Sequence, residues 1–291
     1  MNRREFLKTG AIGLGGLVGI KGKAYPCETK EFYGMLVDTT LCIGCRSCEK
    51  ACSEVNHLPA PNLGDDKPRQ TSIDAFTVVN KFKIDNKEIF VKKQCMHCNQ
   101  PACASACLVK AMFKTKEGPV IWRENKCLGC RYCMIACPFD IPKLEYNSLN
   151  PKIRKCEFCF ERLKKGEKPG CVDACPMEAL IFGTRRELIE IARTRIYKNP
   201  DKYVHHIYGE QEAGGCGWLY LASVPFEKLG FPENVGETPY PEYTKEFLYS
   251  VALIFLLWPS FLVGLHKALK KDESELEIGD SGLGVREKED E

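Results

Sequence analysis

Sixteen of the chain's eighteen cysteines lie between Cys42 and Cys175, in four groups of four. The groups are Cys42, Cys45, Cys48 and Cys52; Cys95, Cys98, Cys103 and Cys107; Cys127, Cys130, Cys133 and Cys137; and Cys156, Cys159, Cys171 and Cys175. The first and third have the spacing C-x2-C-x2-C-x3-C. The second and fourth keep the opening C-x2-C and the closing C-x3-C but lengthen the middle to four and eleven residues. Such runs hold cubane iron–sulfur clusters, because each iron takes one thiolate and a C-x2-C-x2-C loop curls three sulfurs around one cube. Four groups of four thiolates suffice for four [4Fe–4S] clusters. In two-cluster ferredoxins the last cysteine of a run ligates the other cluster, so a pair needs two motifs that exchange their closing cysteines.

Other uses of the cysteines fit less well. Disulfides between residues three apart make strained loops, and the repetition has no disulfide logic. Zinc remains open for the fourth group, whose halves are separated by near zinc-ribbon spacing; the other groups are too compact for it.

The compartment is read from the N-terminus. Asn2-Arg3-Arg4-Glu5-Phe6-Leu7-Lys8 is a twin-arginine signature, and a glycine-rich, weakly apolar stretch follows over residues 11–20. This is an export signal, too short to span a membrane, with cleavage expected after Ala24. The twin-arginine route carries proteins already folded around their cofactors. Cys27 lies just past the cleavage point, but Ala24-Tyr25-Pro26 is a poor lipobox.

Along the chain, residues 34–38 read as a strand entering the first cysteine loop. Residues 59–68 are rich in Pro, Asn, Gly and Asp and read as loop. Segments 76–79 and 89–92 read as a hairpin turned near Asp85 and Asn86, and 111–113 with 120–122 as a second hairpin around Glu117 and Gly118. Strand, cysteine loop and short helix alternate twice over. The expected fold class is therefore α+β, a duplicated bacterial dicluster ferredoxin-like domain with insertions. Residues 180–182 make a further strand, after which Thr184 and Glu187 form a capping box opening an amphipathic helix to about Ile196. Residues 218–221 are one more strand in an irregular aromatic region. His205 and His206 read as surface or interface histidines and Cys216 as a spare thiol.

Residues 247–265 carry no charge and span about 28 Å as a helix, enough for a bilayer. Lys267, Lys270 and Lys271 follow closely, so the positive-inside rule puts the C-terminus in the cytoplasm and the cysteine domain outside it. His266 sits at the membrane edge. The expected organisation is a signal peptide over 1–24, a four-cluster domain over 34–183, a covering and linking region over 184–246, a transmembrane helix over 247–265, and an acidic cytoplasmic tail over 266–291, read as disordered from residue 272. The location is the inner membrane, single-pass, with the clusters on the periplasmic side. A net charge of +3 gives no footprint for nucleic acid. Neither a nucleotide-binding glycine fingerprint nor a nucleophile–base arrangement is present, so the chain reads as an electron carrier and not as a catalyst.

From about residue 34 to 232 the sequence resembles the four-cluster electron-transfer subunits of bacterial membrane-bound oxidoreductases. It is most similar to the iron–sulfur subunit of hydrogenase-2 type [NiFe] hydrogenases. The stretches that carry the likeness are Leu41-Cys42-Ile43-Gly44-Cys45, Lys92-Lys93-Gln94-Cys95-Met96-His97-Cys98, Gly129-Cys130-Arg131-Tyr132-Cys133-Met134, Ile181-Phe182-Gly183-Thr184-Arg185, Tyr208-Gly209-Glu210 and Val224-Pro225. The formate dehydrogenase iron–sulfur subunit is also similar, and subunits of other molybdopterin oxidoreductases share the cysteine pattern. The resemblance implies a relay between a periplasmic catalytic subunit, a [NiFe] hydrogenase, and a quinone-reactive or cytochrome b subunit in the bilayer. It also implies ligand sets. Cys42, Cys45, Cys48 and Cys175 would hold one cube and Cys52, Cys156, Cys159 and Cys171 its partner. In the other pair the sets would be Cys95, Cys98, Cys103 and Cys137, and Cys107, Cys127, Cys130 and Cys133. Leu108 departs from the family pattern, which has proline after the closing cysteine.

Overall fold

The structure is a computed structural model and describes residues 31–62 and 68–280. The expected export signal, Cys27 and the last residues of the acidic tail lie outside the described residues.

At the centre is a three-stranded sheet in the order β8-β1-β9, formed by β1 (Tyr33–Asp38), β8 (Leu180–Thr184) and β9 (Trp218–Leu221). β8 runs antiparallel to β1, pairing Val37 with Leu180, and β9 runs parallel to it, pairing Met35 with Trp218. Met35, Leu36 and Val37 are all buried because both faces of β1 are covered. Side chains alternate across a strand. Met35 and Val37 therefore pack with Trp218, Tyr220, Cys95 and Cys171, whereas Leu36 packs with Leu219, Leu221, Leu188 and Ala192. One face of the sheet backs the cysteines; the other is closed by helix α6 (Arg185–Lys198).

α6 starts where the capping box predicts. Thr184 Oγ1 accepts from the Glu187 amide at 3.4 Å, and the Glu187 carboxylate accepts from the Thr184 amide at 3.1 Å. Arg195, near its end, donates to the buried Asp38 at 2.6 Å, and Tyr203 donates to the same carboxylate at 2.9 Å. The helix is thus tied to the end of β1, immediately before the first cysteine loop.

Three hairpins surround the cysteines. β2 (Val78–Ile84) and β3 (Lys87–Lys93) turn at Asp85 and Asn86, both left-handed with φ 48° and 62°, as a two-residue type I′ hairpin requires. β4 (Met112–Lys114) and β5 (Val120–Trp122) form the second. The third, β6 (Lys143–Leu144) with β7 (Ile153–Arg154), is not expected from sequence. The first hairpin is pinned to helix α1 (Ser47–Val55) by Glu49, which is 1% exposed. Its carboxylate accepts from Arg69 at 2.6 and 3.0 Å and from the Val79 amide at 2.6 Å.

Short helices carry the later cysteines of each group: α1, α2 (Ala102–Ser105), α3 (Tyr132–Ile135) and α5 (Gly170–Asp173), with α4 (Phe160–Lys164) inside the fourth. α7 (Tyr240–Asp280) closes the described chain, and Ser105 Oγ donates to its Glu242 carboxylate. Over Tyr240–Lys267 it is, among the described residues, the one helix long and apolar enough to cross a membrane. Its apolar side chains, Phe255, Leu256, Trp258 and Phe261 among them, are exposed. The helix continues to Asp280, although disorder is expected from residue 272. Lys270 to Glu277 contains the helix formers Lys, Glu and Leu, with Lys271 and Glu275 four apart, so local propensity favours the helix there.

Candidate iron–sulfur centres

Each opening C-x2-C loop turns on the residue before its second cysteine. Gly44, His97, Gly129 and Phe158 have φ of 70°, 48°, 68° and 62°. A left-handed residue at that point brings successive amides round to face one concavity, the backbone nest that receives anionic sulfur. Glycine adopts it freely, but His97 and Phe158 do so against their intrinsic preference. Both are buried, at 1% and 2% exposed, and their rings meet edge to face with centroids 5.0 Å apart. His97 Nδ1 also accepts from the Val120 amide at 2.9 Å. Tertiary packing holds these two loops in the shape that glycine supplies in the others.

The closing cysteine of each group stands beside another group. α1 packs against α5 and α2 against α3, which joins the first group to the fourth and the second to the third. One cavity is lined by Cys42, Cys45, Cys48 and Cys175. Cys52 faces Cys171 and Cys159. Cys137 faces Cys95 and Cys98, and Cys133 faces Cys107, Cys130 and Cys127. Cys103 faces Cys137 and Cys95, and Cys156 faces Cys52, Cys95 and Cys159, so thiols of different groups stand side by side; every described cysteine is a free thiol.

Burial, reinforced by neighbouring thiols, pushes Cys48, Cys52, Cys133 and Cys137 up to about 12. Cys103 and Cys156 are raised well above the ordinary range for the same reason. Thiols crowded and buried in this way become thiolates only when a cation takes the proton's place, as a coordinated metal does. Amides stand ready for the sulfur charge: Ala111 N–H lies 3.1 Å and Met112 N–H 3.4 Å from Cys107 Sγ, and Phe158 N–H lies 3.4 Å from Cys156 Sγ.

Among the described residues no three His, Cys, Asp or Glu side chains converge tightly enough for a single metal ion. A tetrahedral zinc needs its sulfurs at about 2.3 Å from one point. Among the described residues the thiols of the fourth group do not converge on such a point. His97 adds a second mark of fit. With Nδ1 accepting from Val120, its proton is on Nε2, which is buried and has no protein partner.

The surroundings of several residues at these centres are not legible in the sequence. Lys92 and Lys155, each 3% exposed, lie among the thiols. Cys216 is buried against Cys98 and donates to the Glu212 carbonyl at 3.3 Å, so it is a neighbour of the second group and not a stray thiol. His206 behaves as expected, exposed and paired with Glu212 at 2.7 Å.

Nested thiol sets, a sheet that backs them and amide-lined loops define an iron–sulfur protein of the 4Fe–4S dicluster class. The model of the 4Fe–4S dicluster domain matches residues 86–185. The hydrogenase-2 operon protein HybA of Escherichia coli O157:H7 is 39% identical over 80% of this chain and 84% of its own length. The nitrate-inducible formate dehydrogenase iron–sulfur subunit of Escherichia coli K12 is 34% identical over 72% of this chain and 76% of its own. A protein of Nitratidesulfovibrio vulgaris is 46% identical over 94% of this chain and 78% of its own. The chain belongs to the family of iron–sulfur electron-transfer subunits that contains HybA and the formate dehydrogenase iron–sulfur subunits.

Proposed function

We propose that the chain holds four [4Fe–4S] clusters and relays single electrons between a catalytic subunit and a membrane subunit. The ligand sets are Cys42/Cys45/Cys48/Cys175, Cys52/Cys156/Cys159/Cys171, Cys95/Cys98/Cys103/Cys137 and Cys107/Cys127/Cys130/Cys133. The observation that carries this reading is the crossing of closing cysteines between groups, Cys175 toward Cys42 and Cys137 toward Cys95. A cubane bound at each set supplies a one-electron carrier that cycles with little rearrangement.

The protein's part is to hold these carriers in a row, bond their sulfurs and exclude water. Cys48 and Cys52 lie beside Cys171, and Cys156 lies beside Cys95. The spatial order is first, fourth, second, third. Helix α7 starts beside Ser105, two residues from Cys103 and Cys107, which favours the second and third sets as the membrane end. On this reading α7 is a single-pass anchor in the inner membrane, the domain is exported by the twin-arginine route to the periplasmic side, and a quinone-reactive or cytochrome b subunit exchanges electrons with it there.

The catalytic partner is a [NiFe] hydrogenase, favoured by the greater identity to the hydrogenase-2 operon protein than to the formate dehydrogenase subunit. A formate dehydrogenase or another molybdopterin oxidoreductase is the second reading. Iron analysis of the purified complex, with reductive titration followed by electron paramagnetic resonance, tests the relay. About sixteen irons for each chain and one-electron steps without substrate are expected. About eight irons together with zinc would overturn it. Identifying the large subunit that copurifies separates the two partners.

A further inference from the structure

We propose that Lys92 and Lys155 are positioning residues that set the cluster potentials, one at each crossing beside the Cys52/Cys156/Cys159/Cys171 set. The inference rests on the four-cluster reading above. Lys92, on β3, reaches the gap between the first and fourth sets. It lines the cavity of Cys42, Cys45, Cys48 and Cys175, and it also faces Cys52, Cys156 and Cys171. Its Nζ donates to Thr77 Oγ1 and to Gln94 Oε1 at 3.1 Å, and it lies 4.7 Å from the centroid of the Trp218 ring. Lys155 occupies the gap between the fourth and second sets. Its Nζ donates to the Val120 carbonyl and to the Cys156 carbonyl at 3.0 Å, and it faces Cys95, Cys103 and Cys156. Val120 is therefore held at its carbonyl oxygen by Lys155 and at its amide by His97 of the second loop.

Neither ammonium forms an ion pair with a carboxylate among the described residues. Glu49, beside Cys48, is spent on Arg69, and Glu157, beside Lys155, accepts from the Trp122 amide at 2.9 Å. An unpaired buried ammonium is costly unless negative charge stands near it. Here the charge is supplied by the thiolate sets. A cluster with four thiolates gains one more negative charge on reduction, so a fixed cation nearby favours the reduced form and raises the potential. At an effective dielectric of about 20, a unit charge within about 12 Å changes a one-electron equilibrium at least about tenfold. Lys114 also lies near the second group, bonded to the carbonyls of His97, Cys98 and Gly118 at 3.2, 2.8 and 2.7 Å, but it is only half-buried, so solvent screens its charge more than that of Lys92 or Lys155.

The test uses the intact membrane complex with Lys92→Met, Lys155→Met and the corresponding Arg variants, each analysed for iron and titrated by electron paramagnetic resonance. Lys92→Met is expected to lower two of the four potentials, Lys155→Met also two, with one signal common to both. Each should fall by about 59 mV or more, the one-electron equivalent of tenfold. The Arg variants should return close to wild type. If a Met variant loses iron, the Gln variant, which keeps a polar head without the charge, is titrated instead. Full iron with smaller shifts, or with two disjoint pairs of shifted signals, overturns the assignment. A wild-type complex short of about sixteen irons overturns the four-cluster reading instead.

Discussion

Gly44→Ala probes how the first cysteine loop is held. Gly44 sits at φ 70°, and a Cβ built on it would lie 2.3 and 2.4 Å from two carbons of the Phe90 ring on β3. Contacts that close force the ring or the loop to move. The left-handed backbone costs a non-glycine residue about 1–2 kcal/mol, and overpacking a fitted contact costs about 1–3 kcal/mol. The sum is about 2–5 kcal/mol, taken from the loop that carries Cys42 and Cys45. Unfolding of a cluster protein is not reversible, so the measurable quantity is a rate. In anaerobic denaturant, visible absorbance should bleach faster, about 30-fold for 2 kcal/mol expressed in the barrier. Gly129 supplies the control. It has the same place in the third loop and φ 68°, but no atom lies within 4 Å of its added Cβ. Gly129→Ala should therefore show only the backbone share. Phe90→Ala combined with Gly44→Ala removes the clash and should recover about 1–3 kcal/mol relative to the sum of the single variants. Equal bleaching of Gly44→Ala and Gly129→Ala, or strict additivity with Phe90→Ala, would refute the reasoning.

Two further outcomes follow from the placement of the cysteines and of α7. Cys137→Ala should reduce iron from about sixteen to about twelve for each chain, and the thiols newly open to alkylation should be Cys95, Cys98 and Cys103. Labelling of Cys127, Cys130 and Cys133 instead would show that the closing cysteines do not cross. Ending the chain after Glu246 keeps Glu242 for Ser105 but removes the apolar stretch. Expressed without partner subunits, that variant should move from the membrane to the soluble fraction with its visible spectrum unchanged, and its retention in the membrane would rule out α7 as the anchor.

Local chemistry was readable in the sequence wherever a single residue type forces a conformation. Asp85 and Asn86 announce their hairpin because few other pairs accept two left-handed positions. Thr184 and Glu187 announce α6 because each satisfies the other's free amide. The parallel pairing of β1 with β9 was not readable, since Met35 meets Trp218 across most of the chain and no local pattern records that. The two residues of β6 and of β7 are too short to show a period. Turns at His97 and Phe158 were hidden because packing, not glycine, stabilises them. Lys92 and Lys155 look like ordinary surface lysines in sequence; only the fold reveals that their surroundings are thiols. Cys216 reads as a spare thiol in sequence because its neighbour Cys98 is remote along the chain.

The way Cys175 returns to Cys42 while Cys137 returns only to Cys95 has a consequence for biosynthesis. One couple of sets is enclosed within the other like inner and outer parentheses. With the proposed ligand sets, the inner couple has every thiol it needs once Cys137 has left the ribosome, but Cys42, Cys45 and Cys48 must wait for the last cysteine of the series. Loading with iron should therefore proceed from the inside outward, and a nascent chain halted when Cys137 but not Cys156 has emerged should mature to half of its metal content.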